Sequence, residues 1–138
     1  MGSVFPDIKV LNKNYAPVLY APATSISKYV LIDFWFSHCT PCLQEFPTYA
    51  RIYERFKKNG FEIAGISVDQ KQDRNIWAKV VIEKKLNWAQ YLDEDGKIAN
   101  RLSITQFPTN FLLDSNGIII KKNLIPEEPE AFLSSTAL

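Results

Sequence analysis

The stretch from Tyr29 to Pro47 constrains the fold of this 138-residue chain more than any other part of it. It begins with an apolar run to Phe36 that is rich in β-branched and aromatic residues and is interrupted by one acid, Asp33. Such a run predicts a strand that is buried on both faces of a sheet. The motif C-T-P-C follows at residues 39–42, and apolar residues then recur at helical spacing. This order of strand, cysteine pair and helix predicts that two sulfur atoms lie at a helix N-terminus.

A helix N-terminus suits cysteine redox chemistry because its free N–H groups and aligned peptide dipoles favour a thiolate. We expect Cys39 to cap the helix and Pro41 to lie in its first turn, where proline is tolerated. Cys42 then lies one turn deeper on the same face. One sulfur can attack a substrate disulfide, and the other can resolve the mixed disulfide that forms. The expected attacker is Cys39, exposed to solvent, and the expected resolving residue is the buried Cys42.

The cysteine pair also fits a structural disulfide or half of a metal site. Structural zinc needs four ligands, whereas the chain has two cysteines and a single histidine, His38. We therefore expect no metal ion, and no cofactor other than a redox-active Cys39–Cys42 disulfide.

Several motifs together carry a resemblance to a known family. D-F-W at residues 33–35 precedes the cysteine motif, whose longer form is C-T-P-C-L-Q-E-F-P. I-S-V-D follows at residues 66–69, and F-P-T at residues 107–109 leads into F-L-L-D-S-N-G. The chain thus resembles the thioredoxin superfamily, and within it the TlpA/ResA-like branch of bacterial thiol-disulfide oxidoreductases. The resemblance implies a thioredoxin-like α/β fold, in which helices flank a central mixed β-sheet, with an N-terminal extension and a helical insertion.

The resemblance assigns catalytic roles to Cys39, Cys42, Asp33 and Glu45. In thioredoxins the acid at the position of Asp33 exchanges protons with the buried second cysteine, and burial predicts a raised pKa for this carboxyl group. ResA-like proteins place a functional glutamate at the position of Glu45, although a glutamate on a helix is commonly solvated. Many members of that branch have asparagine where Asp33 stands, so it stays open which of the two acids serves Cys42.

Residues beside the cysteines and in the F-P-T motif are expected to bind substrate: His38, Thr40, Pro41, Phe107 and Pro108. By resemblance, Pro108 follows a cis peptide bond and faces the cysteine pair. Phe107 would offer its backbone to an extended substrate segment. His38 stands where the family usually has tryptophan. It is either a plain loop residue or a cation that favours the Cys39 thiolate, since histidine charges near neutral pH.

Two other functions occur on this fold. Peroxiredoxins have a threonine three residues before the peroxidatic cysteine, but Phe36 and Cys39 stand at those positions before Cys39 and Cys42. We therefore do not expect peroxidase chemistry. The remaining alternative is a redox-inert or redox-sensing module that binds a partner through the same groove.

The rest of the pattern predicts one thioredoxin-like domain over residues 1–138, with an N-terminal extension at residues 1–28. Residues 1–3 resemble a cloning scar. In the extension, two short apolar pieces around an Asn-Lys-Asn turn predict a hairpin or two edge strands. The elements predicted beyond it are a strand to residue 36, a helix to residue 58, a strand at 61–68, a helix at 76–85, a short helix at 98–102, strands at 109–114 and 118–122, and a helix at 128–134.

Composition narrows the partners of the protein. Apolar residues make up 46% of the chain and charged residues 22%, and the net charge is +1. This balance gives no reason to expect nucleic acid as a partner, and no apolar run approaches the ~20 residues of a membrane span. We predict a monomeric oxidoreductase that reduces protein disulfides and draws electrons from an upstream donor. We expect a periplasmic or otherwise extracytoplasmic location, with the cytoplasm as the alternative.

Overall fold

The computed structural model describes residues 2–24 and 26–136, so Met1 of the suspected cloning scar lies outside the described residues. Strands and helices alternate along most of this part of the chain. The elements are β1 (Ile8–Leu11), β2 (Pro17–Tyr20), β3 (Tyr29–Trp35), α1 (Thr40–Phe56), β4 (Phe61–Ser67), α2 (Arg74–Glu83), β5 (Ala89–Leu92), α3 (Lys97–Arg101), β6 (Thr109–Leu113), β7 (Ile119–Lys122) and α4 (Glu127–Ser135).

The seven strands form one mixed sheet in the order β2-β1-β5-β4-β3-β6-β7. Strand β3 lies near its centre, parallel to β4 and antiparallel to β6. The hairpin β1–β2 belongs to residues 1–28 and joins the sheet through an antiparallel pairing of β1 with β5. A mixed sheet flanked by helices confirms the predicted fold class, and the N-terminal segment is part of the same sheet.

Residues of β3 alternate between two apolar clusters, one on each face of the sheet. Leu31 and Trp35 pack in the cluster that contains the buried face of α1, whereas Ile32 and Phe34 pack on the opposite face with residues of α3. Burial of each large apolar side chain stabilises the fold by about 1.5–3 kcal/mol. Burial on both faces explains the unbroken apolar run in the sequence. It also places Asp33, midway between Leu31 and Trp35, on the α1 face.

Helix α1 begins as the sequence predicts, and it ends at Phe56, two residues before the predicted end. Cys39 is its N-cap, and Pro41 lies in the first turn. A short 3-10 turn follows the helix, and Gly60 then adopts a left-handed conformation with φ 93°, which glycine reaches without steric cost. The buried stripe of the helix consists of Cys42, Phe46, Tyr49, Ile52 and Phe56, whereas Ala50 and Tyr53 are only partly buried.

Helix α2 and strand β5 also differ from the sequence-based prediction. Helix α2 begins at Arg74 and ends at Glu83, whereas the pattern predicted residues 76–85; Lys85 has a left-handed φ of 53° that ends the helix earlier. Strand β5 lies between the predicted helix at 76–85 and the predicted short helix at 98–102, where no strand was predicted. Its four residues, A-Q-Y-L, carry a weak strand signal, and they form a strand because their backbone groups pair with both β4 and β1.

Candidate active site

Cys39 and Cys42 are joined by a disulfide at the N-terminus of α1, with 5.3 Å between their Cα atoms. The backbone N–H of Cys42 donates a hydrogen bond to Sγ of Cys39 over 3.3 Å. Cys39 thereby caps the helix in the manner of a serine or aspartate, and its sulfur receives the positive potential of the helix N-terminus. This is the arrangement in which a cysteine thiolate is favoured once the disulfide is reduced.

Both cysteines are buried in the oxidised protein. Cys39 is 4% exposed and Cys42 is 1% exposed. The expectation of an exposed Cys39 is therefore wrong for this state, because the disulfide holds its sulfur against the first turn of the helix. The order of exposure is the expected one, and the flanking residues His38, Thr40 and Pro41 are exposed. Their predicted contacts with substrate stay a prediction.

A buried carboxylate holds the loop between β3 and Cys39. Asp69, which follows β4, accepts hydrogen bonds from the backbone N–H of Ser37 at 3.1 Å and from its hydroxyl at 2.7 Å. The hydroxyl of Ser67 donates to the same carboxylate. This network ties the residue two positions before Cys39 to the end of the neighbouring strand. Asp69 belongs to the I-S-V-D motif, whose pattern alone did not indicate this role.

A groove of about 360 Å³ lies beside the cysteine motif. The rings of Phe36 and Phe107 meet edge to face in it, with 5.6 Å between their centroids. The Phe107–Pro108 peptide bond is cis, as the resemblance predicted for Pro108. The structure thus brings together His38 and Phe107, two of the residues predicted to bind substrate. The lining residues are Phe36, His38, Val68, Asp69, Gln70, Asp73 and Phe107.

Asp33 is a buried acid on the central strand, 1% exposed. Its Oδ1 atom has no hydrogen-bond partner among the described residues. Burial raises the pKa of Asp33 well above its ordinary value, and the nearby charge of Glu45 raises it further. The direction agrees with the prediction from the sequence, because desolvation disfavours the charged form of a carboxyl group.

Glu45 belongs to the same polar cluster as Asp33. The hydroxyl of Tyr49 donates to Glu45 Oε1 at 3.2 Å, and Asn110 Nδ2 donates to the Tyr49 oxygen at 3.3 Å. Asn110 lies on β6, in register with Asp33. Burial raises the pKa of Glu45, and the hydrogen bond from Tyr49 opposes that rise. Burial and the two nearby acids also raise the pKa of Tyr49, which therefore stays a neutral hydrogen-bond donor.

Within residues 2–24 and 26–136, no group of three or more histidine, cysteine, aspartate and glutamate side chains is placed to hold a metal ion. Over the same part of the chain, no helix has the length and apolar character that crossing a bilayer requires.

Comparison with known proteins places the chain among thioredoxin-like proteins. The family model described as "AhpC/TSA family" matches residues 1–122. "Thiol-disulfide oxidoreductase ResA" of Bacillus subtilis is 29% identical over 99 residues, which cover 68% of this chain and 51% of that protein. The ResA of Geobacillus kaustophilus is 30% identical over 78% of this chain and 63% of its own length. The chain thus spans only about half to two thirds of the curated relatives it matches.

Solved structures match over nearly the full length of the chain. The thioredoxin domain of a thiol-disulfide oxidoreductase from Bacteroides vulgatus has a TM-score of 0.84 and 31% identity, covering 98% of this chain and 96% of that one. A thiol:disulfide interchange protein from a Bacteroides species has a TM-score of 0.83 and 33% identity, with 97% and 88% covered.

Proposed function

Because this chain belongs to the AhpC/TSA family, we propose that it is a thiol-disulfide oxidoreductase that reduces disulfide bonds in protein substrates through Cys39 and Cys42. The observation that carries the proposal is the cysteine pair itself, closed as a disulfide at a helix N-terminus with Cys39 as the cap. The ResA relatives and the thioredoxin domain from Bacteroides vulgatus bear names of the same activity.

The proposed reaction moves two electrons to the substrate. The Cys39 thiolate attacks one sulfur of the substrate disulfide, a mixed disulfide forms, and the other substrate sulfur leaves as a thiolate. Cys42 then loses its proton and attacks the Cys39 sulfur. The Cys39–Cys42 disulfide forms, and the second substrate sulfur leaves. The substrate gains two electrons and two protons, and an upstream dithiol protein must reduce the pair again.

The proton of Cys42 needs an acceptor in a buried site. Asp33 and Glu45 both lie in the cluster on the α1 face of the sheet, and both have raised pKa values. A base with a raised pKa holds a proton more readily, which suits general base catalysis near neutral pH. We assign the acceptor role to Asp33, which lies on the strand that leads into the cysteine motif. We assign to Glu45 the role of raising the pKa of Asp33.

The groove beside the motif is the proposed substrate site. Its two aromatic rings and the backbone of Phe107, next to the cis peptide bond, offer an apolar floor and an edge for an extended peptide segment. The resemblance to the TlpA/ResA-like branch supports protein thiols and disulfides as substrates and a periplasmic or otherwise extracytoplasmic location. We also propose that the protein acts as a monomer.

We do not propose peroxidase chemistry, because phenylalanine and cysteine stand where a peroxiredoxin has threonine, at Phe36 and Cys39.

The test is reduction of insulin by dithiothreitol. We expect the protein to accelerate insulin reduction and the Cys39→Ser variant to lose this activity. The control is Ser134→Ala, an exposed position on α4 far from the cysteine motif in sequence. A wild-type protein that leaves the rate at that of dithiothreitol alone would instead favour a redox-inert or redox-sensing binding module.

A further inference from the structure

A row of residues in register crosses the centre of the sheet beneath α1. It runs from Asn110 on β6 to Asp33 on β3, then to Gly65 on β4 and Gln90 on β5. Residues paired across neighbouring strands point to the same face. The row therefore places Gln90 and Asp33 on the same face, two strands apart, with only a glycine between them.

Gln90 is buried, with 3% of its surface exposed, yet its carboxamide is unpaired. Neither Oε1 nor Nε2 of Gln90 has a hydrogen-bond partner among the described residues, and Oδ1 of Asp33 has none there either. Most buried polar side-chain atoms in proteins have a partner, and an unpaired amide in an apolar interior is destabilising. Two buried groups with unmet hydrogen bonds therefore face one region of the structure.

Gly65, which has no side chain, leaves space between Asp33 and Gln90. A Cβ atom at this position would lie 2.6 Å from Oε1 of Gln90 and 3.1 Å from its Nε2. The carboxamide of Gln90 thus occupies the place where a side chain of residue 65 would stand, beside Asp33 in the row. Gly65 is not among the glycines with positive φ, so its backbone does not require glycine. Glycine is needed at position 65 because the Gln90 amide fills the space that a side chain would occupy.

We propose that Gln90 is a positioning residue for the proton chemistry of Asp33: its carboxamide reaches across Gly65 and donates a hydrogen bond to the Asp33 carboxylate through one bridging water molecule. This inference rests on the proposed function, in which Asp33 accepts the proton of Cys42. An amide carries two donors and an acceptor, so it can serve both protonation states of the acid. A single internal water molecule with several polar partners is an ordinary feature of such sites.

Through the bridging water, the Gln90 amide forms a stronger hydrogen bond with the ionised form of Asp33 than with the protonated form. Hydrogen bonds to a charged acceptor are roughly twice as strong as bonds between neutral groups, so the Gln90 amide favours the Asp33 carboxylate. On α1, Glu45 and Tyr49 are the titratable groups that interact with Asp33. Burial, followed by the charge of Glu45, disfavours the Asp33 carboxylate, whereas Tyr49 stays neutral. Asn110 and Gln90, on β6 and β5, are uncharged. Gln90 therefore stabilises the ionised form of Asp33 in a site where burial and Glu45 disfavour it.

The experiment titrates Asp33 directly in the oxidised protein, where Cys42 is held in the disulfide and does not titrate. Protein labelled with carbon-13 at the aspartate carboxyl groups is followed by NMR against pH, and Asp33→Asn identifies the Asp33 signal. We expect Gln90→Met to decrease the acidity of Asp33 about tenfold, which raises its titration midpoint by roughly one pH unit, or 1.36 kcal/mol. The exposed Gln72→Met should leave the midpoint unchanged.

Gly65→Ala tests the same contact without removing the amide. The new Cβ meets the far end of a flexible side chain, so the fold tolerates it while the amide is displaced. We expect the midpoint of Asp33 to rise as in Gln90→Met. In the double variant, Gly65→Ala should add nothing to Gln90→Met, because the methyl group acts only through the amide. If Gln90→Met does not fold, Gly65→Ala carries the test alone.

An unchanged or lowered midpoint in a folded Gln90→Met or Gly65→Ala variant would overturn the proposal, and so would simple additivity of the two. The titration requires no turnover. A raised midpoint in a protein that fails to reduce insulin would uphold the relationship between Gln90 and Asp33 while refuting the oxidoreductase activity. An unchanged midpoint in a protein that does reduce insulin would refute the role of Gln90 alone.

Discussion

The backbone N–H of Cys42 points at the sulfur of Cys39, with 3.3 Å between nitrogen and sulfur. The relationship is asymmetric, because Cys39 is the N-cap of α1 and Cys42 lies within the first turn. After reduction, the helix N-terminus therefore favours a thiolate at Cys39. The two sulfurs are chemically distinct although they belong to one short motif.

The first prediction concerns the order in which the cysteines react. In the reduced protein at mildly acidic pH, iodoacetamide should label Cys39 before Cys42, because only the thiolate is nucleophilic. Mass spectrometry of the digested protein identifies which cysteine carries the label. Cys42→Ser should accumulate mixed disulfides with substrate through Cys39, whereas Cys39→Ser should accumulate none. Faster labelling of Cys42 would reverse the proposed roles.

The second prediction concerns the stability cost of Asp33. Burial raises the pKa of Asp33 in the folded protein, so the folded state keeps the proton at pH values where the unfolded chain has lost it. Below the unfolded value of about 3.9 the acid costs no stability. As the pH rises from there through the raised folded pKa, the acid becomes destabilising, and the cost is complete above it.

Asp33→Asn keeps the shape of the side chain and removes this titration. Urea melts should therefore show a gain in stability relative to the wild type at neutral pH, and a smaller difference at pH 3. The same variant should slow insulin reduction by up to about 100-fold, since Cys42 loses its proton acceptor. A variant with the same stability difference at both pH values and full activity would show that Asp33 is not a buried titrating base.

The third prediction separates the roles of the two acids. The charge of Glu45 raises the pKa of Asp33, so Glu45→Gln should lower the titration midpoint of Asp33 in the carbon-13 NMR experiment. If Glu45 only tunes Asp33, the variant retains insulin reduction with a shifted pH profile. Loss of activity at every pH, together with full activity in Asp33→Asn, would assign the proton acceptor to Glu45 instead.

The fourth prediction concerns the loop before the cysteine motif. Ser37→Ala removes the hydroxyl that donates to Asp69 at 2.7 Å in a buried network. Because hydrogen bonds to charged groups contribute about 1.5–3 kcal/mol, we expect a loss of that order in urea denaturation. Ser134→Ala, on the exposed face of α4, should change stability by less than about 0.5 kcal/mol. Equal stability of the two variants would mean that the Asp69 network does not hold the loop.

The sequence by itself determined the elements that depend on local order. The apolar run at residues 29–36 predicts a strand buried on both faces. The motif at residues 39–42 predicts a capped helix, because i and i+3 positions and the preference of proline for a first turn are local properties. The raised pKa of Asp33 also followed from the run around it, since a carboxyl group within a buried strand is desolvated wherever the strand lies.

Only the tertiary structure decided which distant residues meet this motif. Asp69 reaches Ser37 because parallel β3 and β4 end side by side, and Gln90 reaches the row of Asp33 because β5 pairs with β4. Strand β5 has little signal of its own, and a one-residue change of register would turn Gln90 to the opposite face. Strand pairing joins residues far apart in the chain, and periodicity along one segment carries no information about which partner or register another segment takes. The chemistry of Cys39 and Cys42 was therefore readable from the sequence, whereas the surroundings that tune Asp33 were not.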